Sequence, residues 1–233
     1  MSSKTHEVNG FEALLRWNHP ARGRVSPDDF ISLAEETGII VPLGEWVLRQ
    51  ACTEASKWPR NVRVAVNLSP VQFRNKNLVA TVLSAIAAAG LSANRLELEI
   101  TEAILLQNSA ETISVLHQLR ALGVRIAMDD FGTSYSSLSY LRSFPFDKIK
   151  IERSFVRDLT ERKDSIAIIR AVSGLGRDLG MATTAEGVET KEQLAQVQAE
   201  GCTEVQGYLF SPPCAASEVP KVLRRLPKIK SVA

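Results

Sequence analysis

Five apolar, β-branched runs along this chain each break off at an acid, an amide or a lysine. They are Val62–Val66 before Asn67, Leu96–Thr101 around Glu99, Val124–Met128 before Asp129 and Asp130, Phe146–Ile151 around Lys150, and Met181–Ala185 before Glu186. Short apolar runs of this type read as buried strands. Each is followed by a segment with helical spacing, so the chain reads as repeated strand-then-helix units that set the same end of every strand facing one mouth. Phe11–Trp17 reads as a further short strand, closed by the turn-forming Asn18-His19-Pro20. Ser26-Pro27-Asp28-Asp29 signals a helix start and Gly38 its stop. The spacing predicts helices over about 43–57, 78–89, 110–122, 136–141, 165–179 and 191–199, and a last strand near 204–207. Leu83, Ile86 and Ala87, and Ile166, Ile169, Ala171 and Val172, are the expected apolar stripes of two of these helices.

No Pro/Gly/Ser-rich linker divides the chain, so residues 1–233 read as one domain, and 233 residues suit a single α/β barrel better than two domains. Apolar residues at 45% and charged residues at 23% are ordinary for a globular protein. No run approaches the roughly 18–20 apolar residues that span a bilayer, and Met1–Asn9 is polar, which reads as a cytoplasmic chain without a membrane span. A net charge of +2 is too small to favour a nucleic-acid polymer as partner. The clustered Lys221, Arg224, Arg225, Lys228 and Lys230 read as a solvated last helix and tail. Cys52, Cys202 and Cys214 are odd in number and lack CxxC spacing, so they read as reduced structural thiols rather than a disulfide framework or zinc site.

The strand ends gather the carboxylates of Glu99, Asp129, Asp130 and Glu186 with the Asn67 amide and the Lys150 ammonium. Carboxylates crowded on one rim repel by several kcal/mol at the effective dielectric of a partly buried site, unless cations sit between them. An oxygen-rich set without histidine or cysteine suits Mg²⁺ or Mn²⁺ rather than zinc. Two such ions about 3.5–4 Å apart stabilise both the attacking and leaving oxygens of an in-line phosphoryl displacement, and Lys150 adds positive charge where negative charge gathers. Phosphodiester hydrolysis is the natural reaction. Taken singly, Asn67 also fits as a turn cap, Asp129-Asp130 as a turn-forming pair, and Lys150 as a solvent-facing strand residue.

Seven motifs stand in register. They are Glu12-Ala13-Leu14, Asn67-Leu68-Ser69-Pro70, Glu99-Ile100-Thr101-Glu102, Asp129-Asp130-Phe131-Gly132-Thr133, Lys150-Ile151, Glu186-Gly187-Val188-Glu189 and Gln206-Gly207-Tyr208. In order and spacing they resemble the EAL domain, the bacterial phosphodiesterases that hydrolyse cyclic di-GMP. The likeness runs from about Asn9 to Pro213, with residues 1–8 as a polar leader and 214–233 as last helix and basic tail. It implies a TIM-like (βα) barrel with its site at the C-terminal ends of the strands. Glu12, Asn67, Glu99 and Asp129 resemble the ligands of a first Mg²⁺ or Mn²⁺ ion, and Asp129 with Asp130 those of a second. Lys150 is similar to the lysine that positions the attacking water, and Glu186 to the glutamate at the second metal that serves as base. Arg16 and Gln206 resemble substrate-contacting positions, Glu102 the anchor of the loop after Asp130, and Glu189 a supporting acid. Glu102 and Glu189 also fit as helix-start acids.

Three departures from the family pattern stand out. Family members carry a helix and a Tyr-Gln-Pro strand ahead of the Glu-Ala-Leu strand, where this sequence has Met1–Asn9. Seven parallel-type strands are therefore counted against the eight of a closed barrel, and the expected fold is α/β, modified and incomplete at its N-terminal edge. An open edge has to be covered by association into a homodimer, by the chain's own loops or by an upstream segment. Ser134 stands where the family's loop has a second glycine, and Glu152 where an Asp follows the lysine by two residues. The leading reading is a metal-dependent phosphodiesterase that opens cyclic di-GMP to linear pGpG. The alternatives are a cyclic di-GMP sensor with little turnover and an interaction module with no nucleotide role.

Overall fold

The computed structural model describes residues 1–106, 110–132, 141, 144, 146–160 and 162–226. The expected helix at 136–141, apart from Leu141, the loop with Thr133 and Ser134, and Lys228 and Lys230 lie outside them. The chain forms two compact units, one of Phe11–Arg125 and one of Met1–Gly10 with Ile126–Ala233.

In the Phe11–Arg125 unit, β1 (Gly10–Ala13), β4 (Arg63–Asn67) and β5 (Leu96–Thr101) lie side by side in that order. β4 and β5 are parallel and pair Asn67 with Glu99 and Ala65 with Glu97. The helices are α1 (Pro27–Glu36), α2 (Ile40–Ser56), the short α3 (Pro70–Phe73), α4 (Leu78–Ala89), α5 (Glu102–Leu106) and α6 (Ala110–Ala121). α2 packs on α4 and β4, burying Leu48, Cys52 and Ala55 against Val64, Val66, Val82 and Ile86. α4 ends where expected, because Gly90 takes a left-handed conformation that closes the helix.

Two expectations are corrected in this unit. The first strand is shorter than Phe11–Trp17, and Trp17 instead starts an antiparallel hairpin of β2 (Trp17–His19) and β3 (Gly23–Val25). His19 helps form that turn, since its Nδ1 accepts the N–H groups of Ala21 and Arg22 at 3.1 and 3.2 Å. On α4, Leu83 is 49% exposed and Ala87 is exposed, and the face turned inward is Leu78, Val82, Ala85 and Ile86. The helix carries no charge, and Thr81 and Ser84 are its only polar residues, so its outer side was weakly marked in the sequence.

In the other unit the sheet order is β6 (Arg125–Phe131), β7 (Lys148–Ile151), β8 (Ala182–Ala185) and β9 (Glu204–Val205), with β7, β8 and β9 each parallel to its neighbour before it. Its helices are α7 (Arg153–Arg157), α8 (Lys163–Asp178), α9 (Lys191–Ala199) and α10 (Val219–Arg225). α8 packs on β7 and β8 through Ile169 and Val172, while Ala171 of the expected stripe faces solvent. Strand alternation puts Ile149 and Ile151 on one face of β7, and Lys148 and Lys150 on the other. Lys148 is matched by Glu204 on β9, Nζ to Oε2 2.6 Å, and Glu204 also accepts from Thr184 and, at 2.6 Å, from Asn9. Residues 1–3 run antiparallel along β9. Ser2 bridges Glu204, Val205 N–H donates to Met1 O at 2.9 Å, and Ser3 N–H to Thr203 O at 2.9 Å. The chain's own first residues thus lie along the β9 end of the sheet. Among the described residues no helix is long and apolar enough to cross a membrane.

Two predictions follow from buried groups. The Arg95 guanidinium donates to Ala55 O and Val62 O at 2.6 and 2.8 Å from Nη2 and again to Val62 O at 2.9 Å from Nε, satisfying carbonyls at and beyond the end of α2. Arg95→Met should cost about 2 kcal/mol in urea unfolding, with an unchanged slope, because Val62 O loses the guanidinium, while Ala55 O keeps the Trp58 N–H. Burial pushes the Cys52 thiol up to about 11 and raises that of Cys202, so both stay protonated at pH 8, whereas Cys214 is exposed. Since the thiolate is the reactive form, a disulfide reagent at pH 8 should titrate one thiol in the native protein and all three in urea.

Candidate active site

Lys150 decides the geometry in the second unit. It is 2% exposed, and its Nζ lies 3.1 Å from Asp129 Oδ1 and 2.8 Å from Glu186 Oε1. The strands place all three groups: Asp129 stands near the C-terminal end of β6, Lys150 in β7, and Glu186 just beyond β8, its N–H donating to Ile151 O at 3.1 Å. An ammonium buried alone would be deprotonated, and two carboxylates within hydrogen-bond reach keep it charged.

Asp130, next along β6, has φ +53, a left-handed conformation uncommon outside glycine. Asp129 Oδ1 accepts the Asp130 N–H at 3.0 Å, which offsets part of a strain of about 1 kcal/mol. The kink has a chemical consequence. A regular strand would send adjacent side chains to opposite faces. Here Asp129, Asp130 and Glu186 each bring an oxygen within 4.8 Å of the others, close enough to share a metal ion. Those three carboxylates and Lys150 sum to a formal charge of −2, and like charges about 4 Å apart repel by about 4 kcal/mol at an effective dielectric of 20. The donors are oxygens only, so the cluster fits a hard divalent cation.

Glycines hold Glu186 in place. Gly187 has φ +70, and a Cβ there would lie 2.7 Å from Arg153 Cβ. Gly207 passes so close to Val188 that a Cβ would sit 2.1 Å from the Val188 carbonyl oxygen. The two segments are also bonded, Val188 N–H to Gln206 O and Leu209 N–H to Val188 O. Glu152 caps α7 by accepting the Ser154 N–H at 2.8 Å, so the longer acid fills a structural role there. Gln206 and Glu189 are exposed, and Glu189 precedes the α9 cap residue Thr190.

A second group forms in the Phe11–Arg125 unit. Asn67, at the end of β4, donates from Nδ2 to Glu12 Oε1 on β1 at 2.7 Å, and its register partner on β5 is the buried Glu99. Because the amide nitrogen is committed to Glu12, the Asn67 oxygen is the atom left to ligate a cation. Glu102 opens α5 and is buried, while Arg16 follows β1 and donates to Leu15 O. The loop that Glu102 was expected to anchor lies outside the described residues. Sequence reasoning missed Glu35, Gln72 and Gly44, whose contacts hold the turn after Asn67. The only signal for them was the Ser69-x-x-Gln72 capping pattern.

The EAL domain profile matches residues 1–213. The chain belongs to the EAL domain family. This EAL domain is 57% identical over 228 residues to the uncharacterized protein y4lL of Sinorhizobium fredii, covering 98% of this chain and 28% of that protein. It is 42% identical over 214 residues to MucR of Pseudomonas aeruginosa, described as a bifunctional diguanylate cyclase/cyclic di-GMP phosphodiesterase, covering 90% of this chain and 31% of MucR. A PaMucR phosphodiesterase structure in complex with c-di-GMP superposes with a TM-score of 0.87 at 42% identity, covering 91% of this chain and 87% of that one. Klebsiella pneumoniae BlrP1, solved as a manganese/cy-diGMP complex, superposes with a TM-score of 0.78 at 33% identity, over 89% of this chain and 52% of that one. The chain thus spans about a third or less of the length of these two curated relatives. Its fold class is α/β of the TIM-like barrel type, as the motifs implied.

The close approach at Gly207 gives a direct test of how Glu186 is held. Gly207→Ala should cost about 2 kcal/mol in thermal or urea unfolding, because the new methyl overlaps the Val188 backbone. Gly90→Ala, where nothing lies within 4 Å, is the control for left-handed strain alone.

Proposed function

We propose that this EAL domain is a divalent-metal-dependent phosphodiesterase that opens cyclic di-GMP to linear pGpG. The observation that carries the reading is the buried Lys150 ammonium held between Asp129 and Glu186, beside a carboxylate cluster of cation-binding size. The likeness to MucR, a diguanylate cyclase/cyclic di-GMP phosphodiesterase, and to BlrP1 in its manganese/cy-diGMP complex supports the same substrate and metal class.

In this reading Glu12, Asn67, Glu99 and Asp129 take a first Mg²⁺ or Mn²⁺ ion, and Asp129 with Asp130 a second. Bound divalent ions would supply Lewis-acid stabilisation of phosphoryl oxygens and a lowered water pKa. Lys150 donates to the attacking water and fixes its approach to phosphorus, and Glu186, already paired with Lys150, accepts the proton that the water gives up. The water oxygen joins phosphorus as one P–O bond breaks, and the departing sugar oxygen takes up a proton, leaving pGpG. Arg16 and Gln206 contact the dinucleotide, while Glu102 and Glu189 support the loops around it. Three free cysteines fit a reducing, cytoplasmic setting. We further infer self-association into a homodimer, which light scattering at micromolar concentration reads directly; a monomer overturns that part alone.

Purified chain with Mn²⁺ should convert cyclic di-GMP to pGpG on chromatography. Lys150→Ala and Glu186→Gln should lower kcat by about 10²–10⁴-fold, the range for losing a positioned acid–base group, while nucleotide binding by calorimetry persists. Binding without product in the wild type makes the protein a sensor, and neither binding nor product makes it an interaction module.

A further inference from the structure

Asn67 can ligate a cation only if its amide is held in one orientation, and the chain beyond it shows how that is done. Leu68 N–H donates to Glu99 O at 2.9 Å, and Ser69 then caps the four-residue helix α3. In a capping box the serine hydroxyl accepts a backbone N–H and its own proton is left over. Here Ser69 Oγ accepts from Val71 N–H at 3.1 Å and spends that proton on Glu35 Oε1 of α1, at 2.6 Å. The other half of the box, Gln72, is 4% exposed and accepts the Ser69 N–H through Oε1 at 3.0 Å. Gln72 is seated against α2 at Gly44, where a Cβ would lie 2.1 Å from Gln72 Nε2. The turn that follows Asn67 is therefore gripped from two helices, by a charged acceptor on α1 and by a close contact on α2.

We propose that Glu35 is a positioning residue for the metal-ligating Asn67, acting through Ser69, with Gly44 and Gln72 as the opposing jaw. The inference rests on the phosphodiesterase reading for its catalytic consequence but not for its metal consequence. Glu35 touches Ser69, two residues past Asn67, so its carboxylate takes no part in the chemistry itself. Partners that orient a metal ligand from behind affect metal affinity by about 10–100-fold.

The test is Mn²⁺ binding by titration calorimetry, alongside the Mn²⁺ dependence of the rate and the melting temperature. Glu35→Ala and Ser69→Ala should weaken Mn²⁺ binding about tenfold and raise the Mn²⁺ needed for half-maximal rate by a similar factor. Their kcat at saturating Mn²⁺ should stay within about threefold of wild type. Glu35→Gln keeps an acceptor for the Ser69 hydroxyl and should restore most of the affinity, and Gly44→Ala should weaken it from the other side. Unchanged Mn²⁺ affinity in Glu35→Ala, whether or not the melting temperature falls, overturns the proposal by reducing Glu35 to a loop cap. A wild type that binds Mn²⁺ but does not hydrolyse cyclic di-GMP overturns the phosphodiesterase reading alone, since calorimetry still reads Glu35. A wild type that takes up no Mn²⁺ overturns both.

Discussion

The buried ammonium of Lys150 constrains everything around it. A lysine that is 2% exposed stays charged only while carboxylates lie close to it, and Asp129 and Glu186 meet that demand from the strands on either side. Their presence creates the opposite problem, because with Asp130 three carboxylates crowd around one ammonium. Carboxylates this close to one another repel. The same crowding is also the property that suits the cluster to a hard cation. Stability and chemistry at this rim are set by the same excess of negative charge.

Backbone geometry delivers those charges. The left-handed kink at Asp130 overrides strand alternation and brings two adjacent carboxylates to one side. Beyond β8, two glycines allow backbone to pass where a methyl group would collide with Arg153 or with Val188. The Glu186 backbone is therefore fixed by main-chain contacts, and its carboxylate by the bond to Lys150. The turn after Asn67 uses another device for the same end, a capping box whose spare proton is tied to Glu35 on a distant helix.

A second polar layer lies one strand repeat below Lys150. Lys148 pairs with Glu204, and Glu204 also takes hydrogen bonds from Thr184 and Asn9. A buried pair is costly to desolvate and is tolerated when its remaining lone pairs are satisfied, as Thr184 and Asn9 do here. The network ties residue 9 to β9, just as residues 1–3 cover that strand's edge. Residues 1–3, part of what reads as a polar leader in the sequence, thus bond along β9.

The order of elements and most of their limits were legible in the sequence, because apolar period and breakers such as Gly90 act over a few residues. Several of the polar groups that close those runs were legible too, and the structure brings Asp129, Asp130, Lys150 and Glu186 together in one unit and Glu12 with Asn67 in the other. Tertiary structure alone decided which face of the uncharged α4 is buried and that Trp17 belongs to a hairpin. It also decided that Asp130 kinks, and that Glu35 and Gly44 close on the turn after Asn67. Apart from the hairpin, whose paired residues are at most eight positions apart and whose strands are only three residues long, these depend on contacts between residues tens of positions apart or on a backbone conformation imposed by its neighbours. Local pattern specifies what a segment prefers, whereas the partner that satisfies a spare proton or fills the space beside a glycine is known only once the chain has folded back on itself.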